Sequence, residues 1–146
     1  MARIYVASSW RNPYQPEIVA GLRARNHAVY DFRNPEGRTG FSWKQVGGPV
    51  DRQPTLAEYR EMLAHPVAAA GYLSDFRAME WADTCVLVLP CGRSAHLEAG
   101  WFAGRGKRLI ILTRDHEEPE LMALMANHIC GSFGEVIEAL AESAAA

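Results

Sequence analysis

The sequence predicts an α/β protein, an open parallel sheet of about five strands with helices on both faces. Three observations carry this expectation. Short apolar runs alternate with helix-period segments about five times along the chain. The run Cys85-Val86-Leu87-Val88-Leu89 is apolar on both faces, as a central parallel strand must be. The segments richest in polar chemistry follow strands directly, where such sheets carry their binding loops.

Taken in order, Ile4–Ala7 is the first strand, and Ser8-Ser9-Trp10-Arg11-Asn12-Pro13 a polar loop. A helix follows over Pro16–Arg25, with Ile18, Val19 and Leu22 turned inward. Ala28–Tyr30 is the second strand, stopped by Asp31-Phe32-Arg33-Asn34-Pro35. From about 32 to 54 the chain is rich in glycine and proline without a clear period, the mark of a functional loop or lid. Helices are expected over Leu56–Leu63 and Ala68–Trp81, separated by His65-Pro66. After the strand at Cys85–Leu89, Pro90–Arg93 forms a loop and Ser94 caps a helix that runs to about Gly104. Lys107-Arg108 reads as a solvated edge before a strand at Leu109–Leu112. Pro119–Asn127 and Glu135–Ala141 are read as helices, and residues 143–146 as a frayed end. No repeat or linker divides residues 1–146, so a single domain is expected, wound in the flavodoxin-like or Rossmann-like manner.

Bulk properties narrow the function classes. A net charge of −2 gives no general attraction to a nucleic-acid polymer or an anionic membrane. No apolar run reaches membrane-spanning length, and the N-terminus enters a strand without signal-peptide architecture. Cys85, Cys91 and Cys130 make no disulfide framework, so reduced thiols in a cytoplasmic protein are expected. Cys85, Cys91 and His96 lack the paired short spacings of a zinc site, and neither metal nor cofactor is expected. No Gly-x-Gly-x-x-Gly follows the first strand, which argues against a dinucleotide site. Ala7-Ser8-Ser9 lacks the paired acids that a phosphoacceptor domain would need there.

The most informative segment is Pro90-Cys91-Gly92-Arg93-Ser94-Ala95-His96-Leu97-Glu98-Ala99-Gly100-Trp101. Its helix start offers free backbone N–H groups to an anion, and Arg93 could add a bidentate contact to a phosphate. Glu98 lies about one turn in, and its helical neighbours Ser94, Ala95, Trp101 and Phe102 include no cation. A carboxylate so placed at the strand-end crevice suits nucleophilic attack on an electrophilic carbon. The competing reading is a surface glutamate rotated outward, with Trp101 buried. His96, two residues before Glu98, points away from it.

Four segments together resemble the nucleoside 2-deoxyribosyltransferase family and its relatives, the 2′-deoxynucleoside 5′-phosphate N-hydrolases. They are Ile4-Tyr5-Val6-Ala7-Ser8-Ser9-Trp10, Ser74-Asp75-Phe76-Arg77-Ala78-Met79, Ser94-Ala95-His96-Leu97-Glu98-Ala99-Gly100 and Pro119-Glu120-Leu121-Met122. Their order holds from Ile4 to about Ser132. The resemblance implies an enzyme with Glu98 as nucleophile on C1′ of a sugar, Tyr5 hydrogen-bonded to it, and Asp75 serving the departing base. It also implies a homo-oligomer with shared active sites, to which Met122 and Ser132 would contribute across a subunit contact.

One departure matters. Where transferases of free nucleosides often carry a second aspartate, this chain has Gly92, followed by Arg93 and Ser94, which hints at a phosphate. Candidate substrate contacts are therefore Ser8, Ser9, Trp10, Asn34, Gly92, Arg93 and Ser94. Phe41 and Trp43 either stack on a base or pack in the core. The expected substrate is a small nucleoside or nucleotide. The expected reaction is sugar transfer between bases; the alternatives are hydrolysis of a nucleoside 5′-monophosphate and a non-catalytic nucleotide-binding module.

Overall fold

The computed structural model describes residues 1–142, so the frayed end expected at 143–146 lies outside the described residues. Five strands, β1 (Arg3–Ala7), β2 (Ala28–Asp31), β3 (Thr84–Val88), β4 (Arg108–Leu112) and β5 (His128–Cys130), form one parallel sheet in the order β2-β1-β3-β4-β5. The order reverses direction between β1 and β3. Loops leaving those two neighbouring strands diverge to opposite sides and open a crevice beyond their carboxyl ends.

The helices are α1 (Gln15–Arg23), α2 (Leu56–Ala64), α3 (Pro66–Trp81), α4 (Arg93–Gly104) and α5 (Phe133–Glu142). Strand side chains alternate between the two faces of the sheet. On one face Ile4, Val6, Val86, Val88, Ile110 and Leu112 pack with Ile18, Val19 and Leu22 of α1 and with Val136, Ala139 and Leu140 of α5. The other face carries Tyr5 and Cys85, which pair in register, and receives Phe102 of α4 against the Tyr5 ring. Tyr5, Cys85 and Phe102 have no solvent exposure at all. Truncating a buried ring such as Phe102 to alanine costs about 3–5 kcal/mol.

Two compact units can be distinguished, residues 1–31 with 79 onward, and Phe32–Ala78. The first holds the sheet, α1, α4 and α5. The second holds the irregular segment, with short 3-10 turns at Pro35–Gly37 and Trp43–Gln45, and then α2. Thr55 and Glu58 close a reciprocal capping box at the start of α2. Arg52 grips the same Glu58 through both guanidinium nitrogens and holds its carboxyl down at about 2.

Four details differ from the sequence reading. The segment read as a helix at Pro119–Asn127 is only a 3-10 turn, Leu121–Met125, because Asn127 must pair with Leu109 to start β5. That fifth strand, His128–Cys130, was not individually legible. Ser94 is not a cap: α4 begins at Arg93, and its N-cap is Gly92. Lys107-Arg108 is not a solvated edge, since both cations cap helix ends. Lys107 Nζ donates to the carbonyls of Met79, Glu80 and Ala82, and the Arg108 guanidinium donates to those of Ala139 and Leu140.

Candidate active site

The carboxyl ends of β1 and β3 are stitched together by side chains. Ser8 Oγ donates to the carbonyl of Val88 at 2.9 Å. Asn12 Nδ2 donates to the same carbonyl at 3.2 Å and to that of Pro90 at 3.3 Å, while its Oδ1 accepts from the Tyr14 N–H. Ser9 accepts the Arg11 N–H and so tightens the same loop. Trp10 stands half-exposed above it. Next to this loop, Gln15 Nε2 donates to Asp31 Oδ1 at 2.9 Å in a buried pair, which fixes the end of β2.

Glu98 is the sixth residue of α4 and is half-buried. The helix turns Ala95, Ala99 and Phe102 to the sheet, and Glu98 lies one turn before Phe102 on a neighbouring stripe. Its charge reaches two thiols. Cys85, fully buried on β3, is pushed far up by burial first and by the Glu98 carboxylate second. Cys91 is pushed up to about 11 by burial, then by Glu98 and Glu117. Glu98 thus lies, half-buried, within electrostatic reach of β3 and of the loop that follows it.

Tyr5 sits at the β1–β3 seam. Its ring stacks on Tyr30 of β2, with centroids 5.4 Å apart, and leans on Phe102 from the other side. The phenol is thus held between β2 and α4, on the sheet face that Phe102 covers. Gly92 leads into α4 without a side-chain cap on the first turn, leaving those amides available to an anion.

Other sequence-predicted residues fall elsewhere. On α4, Arg93, Leu97 and Gly100 share a stripe that lines a groove of about 950 Å³ with Ile111, Met122 and Ile129. Glu98 is not among the groove's walls, so Arg93 and Met122 are brought together away from it. His96 Nδ1 lies 2.9 Å from the Gly92 carbonyl and 3.6 Å from Cys91 Sγ. Ser132, at the carboxyl end of edge strand β5, accepts the Glu135 N–H and caps α5. Within the second unit, Asn34 precedes the first 3-10 turn, and Phe41 packs edge-on against Trp43 with centroids 4.9 Å apart. A side chain at Gly71 of α3 would collide with the Phe41 ring, so Phe41 is a packed residue, whereas Trp43 is half-exposed. Asp75 is half-buried on α3.

Sequence reasoning passed over Asn12 as part of a polar turn. Its only signal was an asparagine before proline in a strand-end loop, which turn formation explains equally well. Among the described residues no group of three His, Cys, Asp or Glu could hold a metal ion, and no helix is long and apolar enough to cross a membrane.

No family model and no curated protein matches this chain. Solved structures do. A 2-deoxyribosyltransferase from Bacillus psychrosaccharolyticus superposes with a TM-score of 0.55 at 18% identity, covering 91% of this chain and 88% of that one. The chain has a 2-deoxyribosyltransferase fold. A conserved protein from Enterococcus faecalis V583 gives a TM-score of 0.59 at 15% identity, over 97% and 98% of the two chains. The Clostridium botulinum CMP N-glycosidase BcmB gives 0.52 at 14% identity, over 94% and 97%. Two of these three shared-fold proteins are named for nucleoside or nucleotide glycosyl chemistry, and coverage near full length means that the fold is shared as a whole.

Proposed function

We propose that this protein is an enzyme that cleaves the N-glycosidic bond of a 2′-deoxynucleoside and transfers the sugar to another base. The observation that carries the reading is the half-buried Glu98 on α4, one turn before Phe102, whose ring packs on Tyr5 beside the switch point. In the first step a Glu98 oxygen bonds to C1′ as the C1′–N bond breaks, and the departing base takes a proton. In the second, a nitrogen of another base bonds to C1′, its proton returns to the group that protonated the first base, and Glu98 leaves as carboxylate. Two displacements replace one hard one. By the resemblance, Tyr5 orients the nucleophile and Asp75 of α3 supplies the proton. Ser8, Ser9, Trp10, Gly92 and Ser94 are the substrate contacts at the strand ends, with Asn34 and Trp43 as further candidates.

A second reading is hydrolysis of a nucleoside 5′-monophosphate, with water as the acceptor. The uncapped first turn of α4 after Gly92 favours it, as does the fold shared with a CMP N-glycosidase. In either reading we place two copies face to face across the groove beside α4. Leu97, Leu121, Met122, Leu124 and Ile129 expose apolar surface around it. Arg93 and Arg114 face Glu117, Glu118 and Glu120 along its walls, a charge pattern that complements itself about a two-fold axis. Met122 and Ser132 would then serve the neighbouring subunit. The free thiols of Cys85, Cys91 and Cys130 suit a reducing compartment, and we place the protein in the cytoplasm.

The test is chromatography of deoxynucleosides and their 5′-monophosphates incubated with the protein, each with and without a second free base. A new nucleoside that forms only with the second base establishes the transferase. Free base and sugar 5-phosphate from monophosphates alone establish the hydrolase. No product from either set returns the protein to nucleotide binding without catalysis.

A further inference from the structure

We infer that Asn12 is a positioning residue: it locks the Leu89–Gly92 loop to the end of β1, and so fixes where α4 presents Glu98. The loop between β3 and α4 is short, and three partners hold it. Leu89 N–H donates to Leu112 on β4, and the Gly92 carbonyl meets His96 Nδ1 from within α4. The Val88 and Pro90 carbonyls both receive Asn12 Nδ2. Ser8 shares the Val88 carbonyl, whereas the bond to Pro90 is the one through which Asn12 reaches the loop itself.

The chemistry explains the residue type. Asn12 is 1% exposed, and its amide gives two donated bonds and one accepted from a single planar group. Aspartate keeps the shape and loses both donors, which sets a carboxylate against two carbonyl oxygens. Serine keeps one donor, and alanine keeps none. The short loop gives slack at Pro90 no other outlet than a shift of Gly92 and the first turn of α4. Cys91 lies between the two anchored residues and is therefore a local gauge. Its thiol feels Glu98 from α4 and Glu117 from the loop after β4, and touches His96.

The Cys91 measurement is independent of the proposed reaction; only the turnover measurement rests on it. The rate of Cys91 alkylation by iodoacetamide is followed against pH, with the label assigned by peptide mapping, in wild type, Asn12→Ser, Asn12→Ala and Asn12→Asp. The wild-type midpoint is expected near 11. Folded Asn12→Ala should move it down toward the ordinary thiol value of about 8.5 and Asn12→Ser less far, whereas in Asn12→Asp the added carboxylate works against that fall. Where the protein turns substrate over, kcat should fall by up to about 10²-fold at nearly constant KM, because the nucleophile is displaced while the binding surface stays. An unchanged midpoint in folded Asn12→Ala overturns the inference. A shifted midpoint alongside full turnover in Glu98→Gln would sustain the role of Asn12 and overturn the proposed reaction.

Discussion

The two ends of the sheet use the same residue types in opposite ways. At the amino ends, charged side chains are consumed by the fold: Arg3 bonds Asp83, Lys107 caps the last carbonyls of α3, and Arg108 caps those of α5. At the carboxyl ends the structural bonds are donated by neutral groups, Ser8, Asn12 and Gln15, and Asp31 is the one charged acceptor among these bonds. Other charged heads at this end are left for other work. Arg93 makes no ion pair among the described residues, the Arg114 guanidinium lies over the Tyr14 ring at 3.1 Å, and Glu98 is half-buried on α4. A charge placed where the fold does not need it is the better guide to function than a charge as such.

The contrast makes substitutions at the two ends separable. The largest effect belongs to Glu98. Glu98→Gln should lower turnover by about 10⁴-fold or more while thermal unfolding changes little, as measured by product chromatography beside a melting curve. Full activity would remove the carboxyl end from consideration. Tyr5→Phe keeps the rings on Tyr30 and Phe102 and removes the hydroxyl. A fall of about tenfold in kcat is expected, with a smaller relative change in stability. Equal activity would reduce Tyr5 to packing.

Lys107→Ala should behave in the reverse sense, costing roughly 1–3 kcal/mol in denaturant unfolding and leaving kcat unaltered. A change in kcat there would break the division between the ends. The smallest effect is a pH dependence. Cys91 has a folded value raised to about 11, and Cys85 is also raised, each by burial first and by Glu98 second. Their contribution is fully present below the unfolded thiol range and is lost as pH rises through about 11. Stability should therefore decline on the alkaline side, and less steeply in Glu98→Gln, by chemical denaturation between pH 8 and 11.

Most of the scaffold was legible in the sequence because burial writes it there. Ile4–Ala7 and Cys85–Leu89 are apolar on both faces, and Ile18, Val19 and Leu22 fall on one helical face as the structure has them. What escaped has a common physical cause: it depends on distant backbone. The strand His128–Cys130 is too short to show a period, and Ile129 is exposed within it. Leu121–Met125 has the composition of a helix, but Asn127 pairs with Leu109 and cuts it to a 3-10 turn. Lys107 and Asn12 act on carbonyls 25 or more residues away, and a carbonyl is invisible in a sequence. At the candidate site, the pattern without cations around Glu98 left open how far it is buried; the structure gives it as half-buried beside Ala95, Ala99 and Phe102, which α4 turns to the sheet.

The adjacent pair Lys107-Arg108 has a consequence for how this chain can change. Lys107 lies over the Trp101 and Phe102 rings on the α4 side, while Arg108 reaches α5 on the opposite side. Successive residues entering a strand point to opposite faces. Deleting or inserting a single residue at the turn before β4 would exchange the two cations between faces and uncap two helices together. Substitution alters one tether, whereas a change of length alters both. Sequence drift at this turn is therefore expected to conserve residue count more strictly than residue identity.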